Sequence, residues 1–409
     1  MAGTILTSVA CEDIMTSANE GSSTMSTHSI VYLVEPRPVI GGGVRATCNL
    51  AGVLGLPPLN CNCTVFGVSA QADLPKRDTD AFRLVCSHAA KSVGGRYIQE
   101  VRNVMNAPNV GVVHAMGLYT ALLAVLIRKA HKLSLSIVVT VHRVTTDVRC
   151  AWFAKRVSCY IARNVDATTF LTEHQRHHYE EYLGYRHAST YIIPNVIPSP
   201  QINNLDVMAS RQHLQQGADA EYLVGYAGRL IESKQIHVVI RTVAELRSRG
   251  CPVGAVIVGS GDPQYLHTLK ELARELRIVP HVHFAGFVSR PETYIAACDC
   301  ILFPTMHGEA LPNLLIESFM LGKPVVVSSI PQLRELVIAE ENAIIVPTHD
   351  PTAYANAVER VLISDEIRNR LSEQALLTYG EQYEPSAVAR RYLEVYGRCV
   401  ARETPKEVH

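Results

Sequence analysis

Apolar residues in this chain fall into short continuous runs separated by amphipathic stretches. That is the pattern of an open parallel sheet covered by helices on both faces. The first strong run is Ile30-Val31-Tyr32-Leu33-Val34, and others follow at 64–68, 110–114 and 137–141. Helical periodicity lies between them, for example over 118–132. The segment Ile193-Pro194-Asn195-Val196-Ile197-Pro198-Ser199-Pro200 then reads as a linker, because its prolines lack the amide donors that helices and central strands need. A second series of runs occupies 222–226, 255–258, 281–284, 300–303, 324–327 and 343–346. Alternation of strand and helix on both sides of the linker predicts an α/β chain. It would form two tandem Rossmann-like, doubly wound parallel-sheet domains facing a cleft. The expected boundaries are a disordered leader over 1–27, a first domain over 28–200 and a second over 205–382.

Composition supports folded domains and narrows their partners. Hydrophobic residues make up 47% of the 409 and charged residues 19%, so sizeable cores can be buried. Lys+Arg and Asp+Glu both number 38, which argues against a general nucleic-acid binder. The charge is unevenly placed. Residues 28–197 hold 18 basic and 10 acidic side chains, a balance of +8, whereas 198–409 hold 20 and 25, a balance of −5. A basic first half suits an anionic acceptor or an acidic membrane surface, and equally an ordinary solvated surface.

The longest apolar run, 119–127, is far short of the roughly 20 residues that span a bilayer. The only apolar patch of the leader is Ile5-Leu6, with no basic residue before it, so a signal peptide is not expected. Eleven cysteines include the close pairs Cys61-x-Cys63 and Cys298-x-Cys300. Neither has the two-residue gap of a zinc or thioredoxin site, and free thiols fit a reducing cytosol.

Four segments carry candidate chemistry. Gly228-Arg229-Leu230-Ile231-Glu232-Ser233-Lys234 follows a strand and is expected to open a helix running to about Ser248. Arg229 and Lys234 would place two cations at one strand-to-helix turn, where a diphosphate can be held. Without an anion, cations there would oppose the helix dipole. Second, Val258-Gly259-Ser260-Gly261-Asp262 permits close backbone approach but lacks the third glycine of the dinucleotide fingerprint, so a nicotinamide site is not predicted.

The third segment is His307-Gly308-Glu309-Ala310-Leu311-Pro312-Asn313-Leu314-Leu315-Ile316-Glu317. A helix is expected over 312–321, with Pro312 as its first residue and the amides of Asn313 and Leu314 offering an anion site. Glu309 can complement the dipole, whereas Glu317 lies on an otherwise apolar helix and needs hydrogen-bond donors such as sugar hydroxyls. The fourth segment is split. Gly41-Gly42-Gly43 makes a turn before a helix, and His142 ends the run Val139-Thr140-Val141 at a cleft edge. Taken alone, that turn suits flexibility and that histidine a structural role.

These residues resemble the family-four glycosyltransferases of GT-B fold, which are retaining enzymes. The resemblance runs from about residue 30 to 396. Its most specific part is Glu309 and Glu317 within Glu-Ala-Leu-Pro-Asn-Leu-Leu-Ile-Glu, then Arg229 with Lys234, then Val-Gly-Ser-Gly-Asp and Phe284-Ala285-Gly286-Phe287-Val288. Val113-His114-Ala115, Ile193-Pro194-Asn195 and a C-terminal stretch over 383–400, similar to the family's helix returning to the first domain, match more loosely.

The resemblance implies that Arg229 and Lys234 neutralise a nucleotide diphosphate, with Gly228, Gly259, Leu311, Asn313 and Leu314 around the donor. It implies that Glu309 binds the donor sugar and Glu317 the ribose. Gly42 and Gly43 would let the phosphate approach, His142 would lie beside the sugar, and the loop with Phe287 and Val288 would hold the base. His142, Arg229, Lys234 and Glu309 are thus the expected catalytic set. The chain departs from the family at Gln235 and Ala310, where glycine is usual, and at Val196, where the family often has Pro-Asn-Gly.

The expected reaction moves a hexosyl group from a nucleotide-diphosphate sugar, UDP- or GDP-linked, to a hydroxyl of a small-molecule, glycan or lipid acceptor, with retention. That sugar nucleotide is a co-substrate, and no cofactor or metal is expected. Asp78-Thr79-Asp80 has the spacing of a manganese motif but sits in a polar stretch rather than after a buried strand. The expected location is cytoplasmic, with room for peripheral contact at the cytoplasmic membrane face and for a homodimer. The apolar helix over 118–132, ending Arg128-Lys129-Ala130-His131-Lys132, is either that contact or a core helix with a solvated end. Competing readings are a nucleotide-sugar epimerase, a phosphorylase of the same fold, or a silent sugar-nucleotide-binding subunit.

Overall fold

A computed structural model describes residues 28–35, 42–68, 81–86, 95–142, 151–200, 202–306 and 310–403. The expected leader lies outside them. The chain divides into two compact units, one made of residues 1–198 and 384–409 and the other of 199–383.

The first unit is built on seven parallel strands among the described residues. They are β1 (Ser29–Leu33), β2 (Asn62–Val68), β3 (Arg83–Cys86), β4 (Val110–Met116), β5 (Ser136–Val141), β6 (Ala167–Phe170) and β7 (Thr190–Ile192), ordered β3-β2-β1-β4-β5-β6-β7. Strand alternation sends Ile30, Tyr32 and Val34 into the core on one face and Val31 and Leu33 into the core on the other. Every residue of β5 is buried, which is why its sequence is a continuous run rather than an alternation. Strands β3, β6 and β7 are absent from the sequence reading. They are short and partly polar, and tertiary pairing supports them. Thr168 bonds the Tyr185 hydroxyl at 2.9 Å, for example.

The helix Pro385–Glu403 belongs to this unit, with Ala389, Tyr392, Tyr396 and Cys399 packed beside Leu50 and Leu54. It also closes a buried polar network. His114 Nδ1 meets the Tyr396 hydroxyl at 2.7 Å, and His114 Nε2 meets Thr140 Oγ1 at 2.6 Å. Burial, reinforced by nearby His142, pushes His114 down to about 3. The ring is therefore neutral in the fold, whereas in the unfolded chain it takes a proton below about 6.5. The unfolded state then binds more protons, so this stabilisation is complete above about pH 6.5 and is lost as pH falls toward 3. Stability is expected to fall by about 2 kcal/mol between pH 6.5 and 5 from this group. Urea midpoints at the two pH values check it, and the difference should shrink in His114→Asn.

The second unit has six parallel strands among the described residues: β8 (Tyr222–Ala227), β9 (Val253–Val258), β10 (Val282–Gly286), β11 (Cys300–Phe303), β12 (Val325–Ser328) and β13 (Ile344–Val346). Their order is β10-β9-β8-β11-β12-β13. In each sheet the chain winds outward one way and then returns to wind the other way. The reversals fall between β1 and β4 and between β8 and β11. Loops leaving the carboxyl ends of strands flanking such a reversal diverge, and the opening between them is where ligands bind in this architecture.

Candidate active site

At the second unit's reversal, β8 leads into Gly228 and Arg229, then a single 3-10 turn over Glu232–Lys234, and only afterwards the helix Ile236–Ser248. The sequence places the helix start earlier. The structure shows a break at Gln235, which adopts the left-handed conformation at φ 52°. A side chain is strained there, and glycine would relieve it. Gln235 is nevertheless 2% exposed. Its Nε2 lies 2.5 Å from His349 Nδ1 and 2.7 Å from Met306 Sδ. Its Oε1 is enclosed with no hydrogen-bond partner among the described residues. The sequence marks this residue as a departure but assigns it no part. Here it fastens the cationic turn to two other loops.

The turn is also bonded across the reversal. Ser233 carbonyl accepts from the Met306 amide at 3.0 Å and from Thr305 Oγ1 at 3.4 Å, both in the loop after β11. The Lys234 ammonium stands 5.8 Å from the Phe303 ring centroid. Burial, and then the neighbouring Arg229 guanidinium, push Lys234 down to about 7. Arg229 itself is exposed.

Backbone bonds lace this turn to the next loops. Gly228 amide donates to Val258 carbonyl at 2.9 Å, Leu230 amide to Ser260 carbonyl at 3.0 Å, and Gly259 amide to Gly286 carbonyl at 2.8 Å. Gly259 is at φ 134°, and a Cβ on it would lie 1.8 Å from the Gly228 carbonyl oxygen. Contact within the protein thus requires this glycine before any ligand is considered. Asp262 caps the helix Pro263–Glu275 by accepting from the Gln264 amide at 2.9 Å. Beyond β10, Phe287 is 69% exposed, with Val288 beside it in the same loop.

After β11 the helix is Asn313–Met320, and Pro312 is its N-cap rather than its first residue. No side chain caps its first turn, where the amides of Asn313 and Leu314 lie. Leu311, Leu314, Leu315, Ile316 and Phe319 are buried. Glu317, on the same helix, is 8% exposed. Glu309 lies outside the described residues, as do His307 and Gly308.

In the first unit, Gly42 and Gly43 begin the helix Gly42–Gly55. A Cβ on Gly43 would stand 3.4 Å from the His142 ring, so the glycine turn and the end of β5 meet. His142 Nε2 is enclosed and has no hydrogen-bond partner among the described residues, and burial holds the ring at about 4. It is therefore a neutral imidazole near pH 7. Gly228, Arg229, Lys234, Gly259, Phe287, Val288, Leu311, Asn313, Leu314 and Glu317 all follow β8 to β11 of one unit. Gly42, Gly43 and His142 belong to the other. Asp78-Thr79-Asp80 lies outside the described residues. Among the described residues, no three His, Cys, Asp or Glu side chains gather as metal ligands would.

Comparison with known proteins agrees with this layout. Residues 210–377 match the family described as glycosyl transferases group 1, and residues 40–199 match Glycosyltransferase Family 4. A lipopolysaccharide core biosynthesis glycosyltransferase, LpsE of Rhizobium meliloti, is 29% identical over 189 residues, 46% of this chain and 53% of that protein. A D-inositol 3-phosphate glycosyltransferase of Nocardioides is 32% identical over 48% of this chain and 45% of its own. The chain thus spans about half the length of the curated relatives it matches. The crystal structure of Anabaena Alr3699/HepE in complex with UDP and glucose superimposes with a TM-score of 0.76 at 17% identity, covering 90% of this chain and 98% of that one. At that identity the likeness speaks for the fold.

Proposed function

The chain belongs to the group 1, family 4 glycosyl transferases of GT-B fold, and on that premise we propose that it transfers a hexosyl group from a nucleotide-diphosphate sugar to an acceptor hydroxyl. The observation that carries this reading is Lys234, half-buried beside Arg229 at the sheet reversal and depressed to about 7. Neighbouring ammonium and guanidinium groups repel each other, and a dianionic ligand would offset that repulsion.

As the bond from sugar to diphosphate breaks, negative charge grows on the leaving oxygen. Cations already fixed there stabilise the transition state more than the ground state. Arg229, Lys234 and the first-turn amides of the helix Asn313–Met320 are assigned that role. Glu309 and Glu317 act as acceptors for donor hydroxyls rather than as nucleophiles. The neutral His142 ring exchanges hydrogen bonds with substrate rather than providing a fixed charge.

Transfer then proceeds on one face of the sugar. The bond to the leaving phosphate breaks, the acceptor oxygen bonds the anomeric carbon, and the acceptor's proton passes to the departing phosphate. The anomeric configuration is retained and no metal is needed, because the cation pair supplies the neutralising charge. The UDP and glucose carried by the Anabaena protein favour a uridine-linked donor over a guanosine-linked one. One experiment tests the set: transfer from UDP- and GDP-sugars in the presence of a chelator, with the product read by NMR. Undiminished turnover with a retained anomeric centre is expected. An inverted centre, or turnover abolished by the chelator, would end this account.

A further inference from the structure

Lys234 is gripped through both of its chain neighbours. On one side, the Ser233 carbonyl accepts from the Met306 amide at 3.0 Å. On the other, the Gln235 side chain reaches Met306 Sδ at 2.7 Å and His349 Nδ1 at 2.5 Å. The same methionine thus holds residues 233 and 235, with Lys234 between them. Each anchor is itself fixed. Met306 follows β11, whose last residue, Phe303, carries the ring 5.8 Å from the Lys234 ammonium. The Phe303 carbonyl accepts from the Tyr354 hydroxyl at 3.2 Å. His349 precedes Asp350, which caps the helix Pro351–Ile363 by accepting from the Ala353 amide at 2.9 Å. Gln235 meets these anchors from a left-handed backbone at φ 52°, with a side chain 2% exposed. Strain of that kind persists where surrounding contacts over-determine it, and an enclosed carboxamide supplies those contacts.

A glycine at 235 would keep this bend without strain but would offer no side chain. Strain and burial accepted for contact with two loops point to placement rather than ligand contact. We propose that Gln235 is a positioning residue of the donor site: with Met306 it clamps Lys234 from both sides and fixes where the ammonium stands. The proposal rests on the diphosphate role assigned to Lys234 above. Placement matters because a displacement of about 1 Å can cost a site on the order of 100-fold in rate. Of the described groups, Arg229 and Glu232 stand on the turn, His237 and Arg241 on the helix Ile236–Ser248, Tyr265 on the helix Pro263–Glu275, and His349 after β13. His307 and Glu309 follow Met306 outside the described residues. Replacing Gln235 removes none of these groups, so it alters the placement of Lys234 and leaves the surrounding charges as they are.

The full chain and its variants are titrated with UDP by calorimetry between pH 7 and 9, in buffers of different ionisation heat. The wild type should take up close to one proton at pH 8. Lys234→Arg should abolish that uptake, which assigns it to Lys234 rather than to a histidine. In Gln235→Gly the released turn lets the ammonium move toward water, where it is more often charged before UDP arrives. Uptake at pH 8 should then fall to about half. The loss of UDP affinity, about tenfold per pH unit, should begin about one unit higher in pH than in the wild type. Gln235→Asn tolerates the same bend but is one methylene shorter and falls short of the two anchors, so it should behave alike. Met306→Leu keeps the backbone bond and removes the sulfur. It should shift uptake in the same direction and add little when combined with Gln235→Gly. Circular dichroism and thermal melts check that each variant is folded. An unchanged uptake and pH profile in folded Gln235→Gly or Gln235→Asn overturns the positioning role alone. No uptake by the wild type overturns the diphosphate reading, and this proposal with it.

Discussion

Lys234→Ala is expected to cut turnover about 1,000-fold, at the upper end of what removing one preorganised donor costs. The ammonium is held over Phe303 by a turn bonded to the neighbouring loop, so little reorganisation is left for the moment of bond cleavage. Turnover should fall more than donor affinity, because the charge it meets grows as the bond breaks. The same residue predicts a linkage with a definite sign. With its pKa near 7 in the free protein, Lys234 is mostly neutral at pH 8. A bound diphosphate favours the charged form, so binding at pH 8 should take up close to one proton, and affinity should fall as pH rises above 7. Calorimetry with UDP in buffers of different ionisation heat reads that proton directly. Lys234→Arg should abolish the uptake, because a guanidinium stays protonated throughout. Binding at pH 8 with no proton uptake would remove the physical basis of the site.

Gly259→Ala is expected to destabilise the second unit by about 3–5 kcal/mol, enough to lower its melting temperature by roughly ten degrees. Two effects combine. The backbone is at φ 134°, and the added methyl carbon would overlap a backbone oxygen at 1.8 Å, which no rotamer change relieves. Gly217, inside the helix Asn204–Ala218 with open space around it, is the control. Alanine there should stabilise by about 0.5–1 kcal/mol, because glycine loses more backbone freedom on folding. Thermal melts of both variants give the contrast. Equal effects would mean that Gly259 is kept for a ligand and not for the neighbouring strand's turn.

The contrast between these glycines shows how far residue patterns reach. Continuous apolar runs locate β1, β2, β4 and β5 and, apart from the half-buried edge strand β10 with its His283, the strands of the second unit, because a strand buried on both faces has no alternative composition. Strands β6 and β7 escape detection for the opposite reason. Thr168 and Thr169 are polar residues made acceptable by partners distant in sequence, Tyr185 and Thr140. In the candidate site, charge and spacing were enough to single out Arg229, Lys234, Glu309 and Glu317, since few arrangements explain two cations beside a strand end and two acids so near a helix start.

Residue order alone therefore established the α/β class, the family resemblance and the charged residues worth testing, because each depends on chemical type and on local period. Three-dimensional packing established the rest. It put the sheet reversal between β8 and β11, set Gln235 in a strained bend that separates Lys234 from the helix, and made Gly259 a contact between backbones. Those outcomes depend on neighbours supplied by remote segments, and no local pattern encodes which neighbours will arrive.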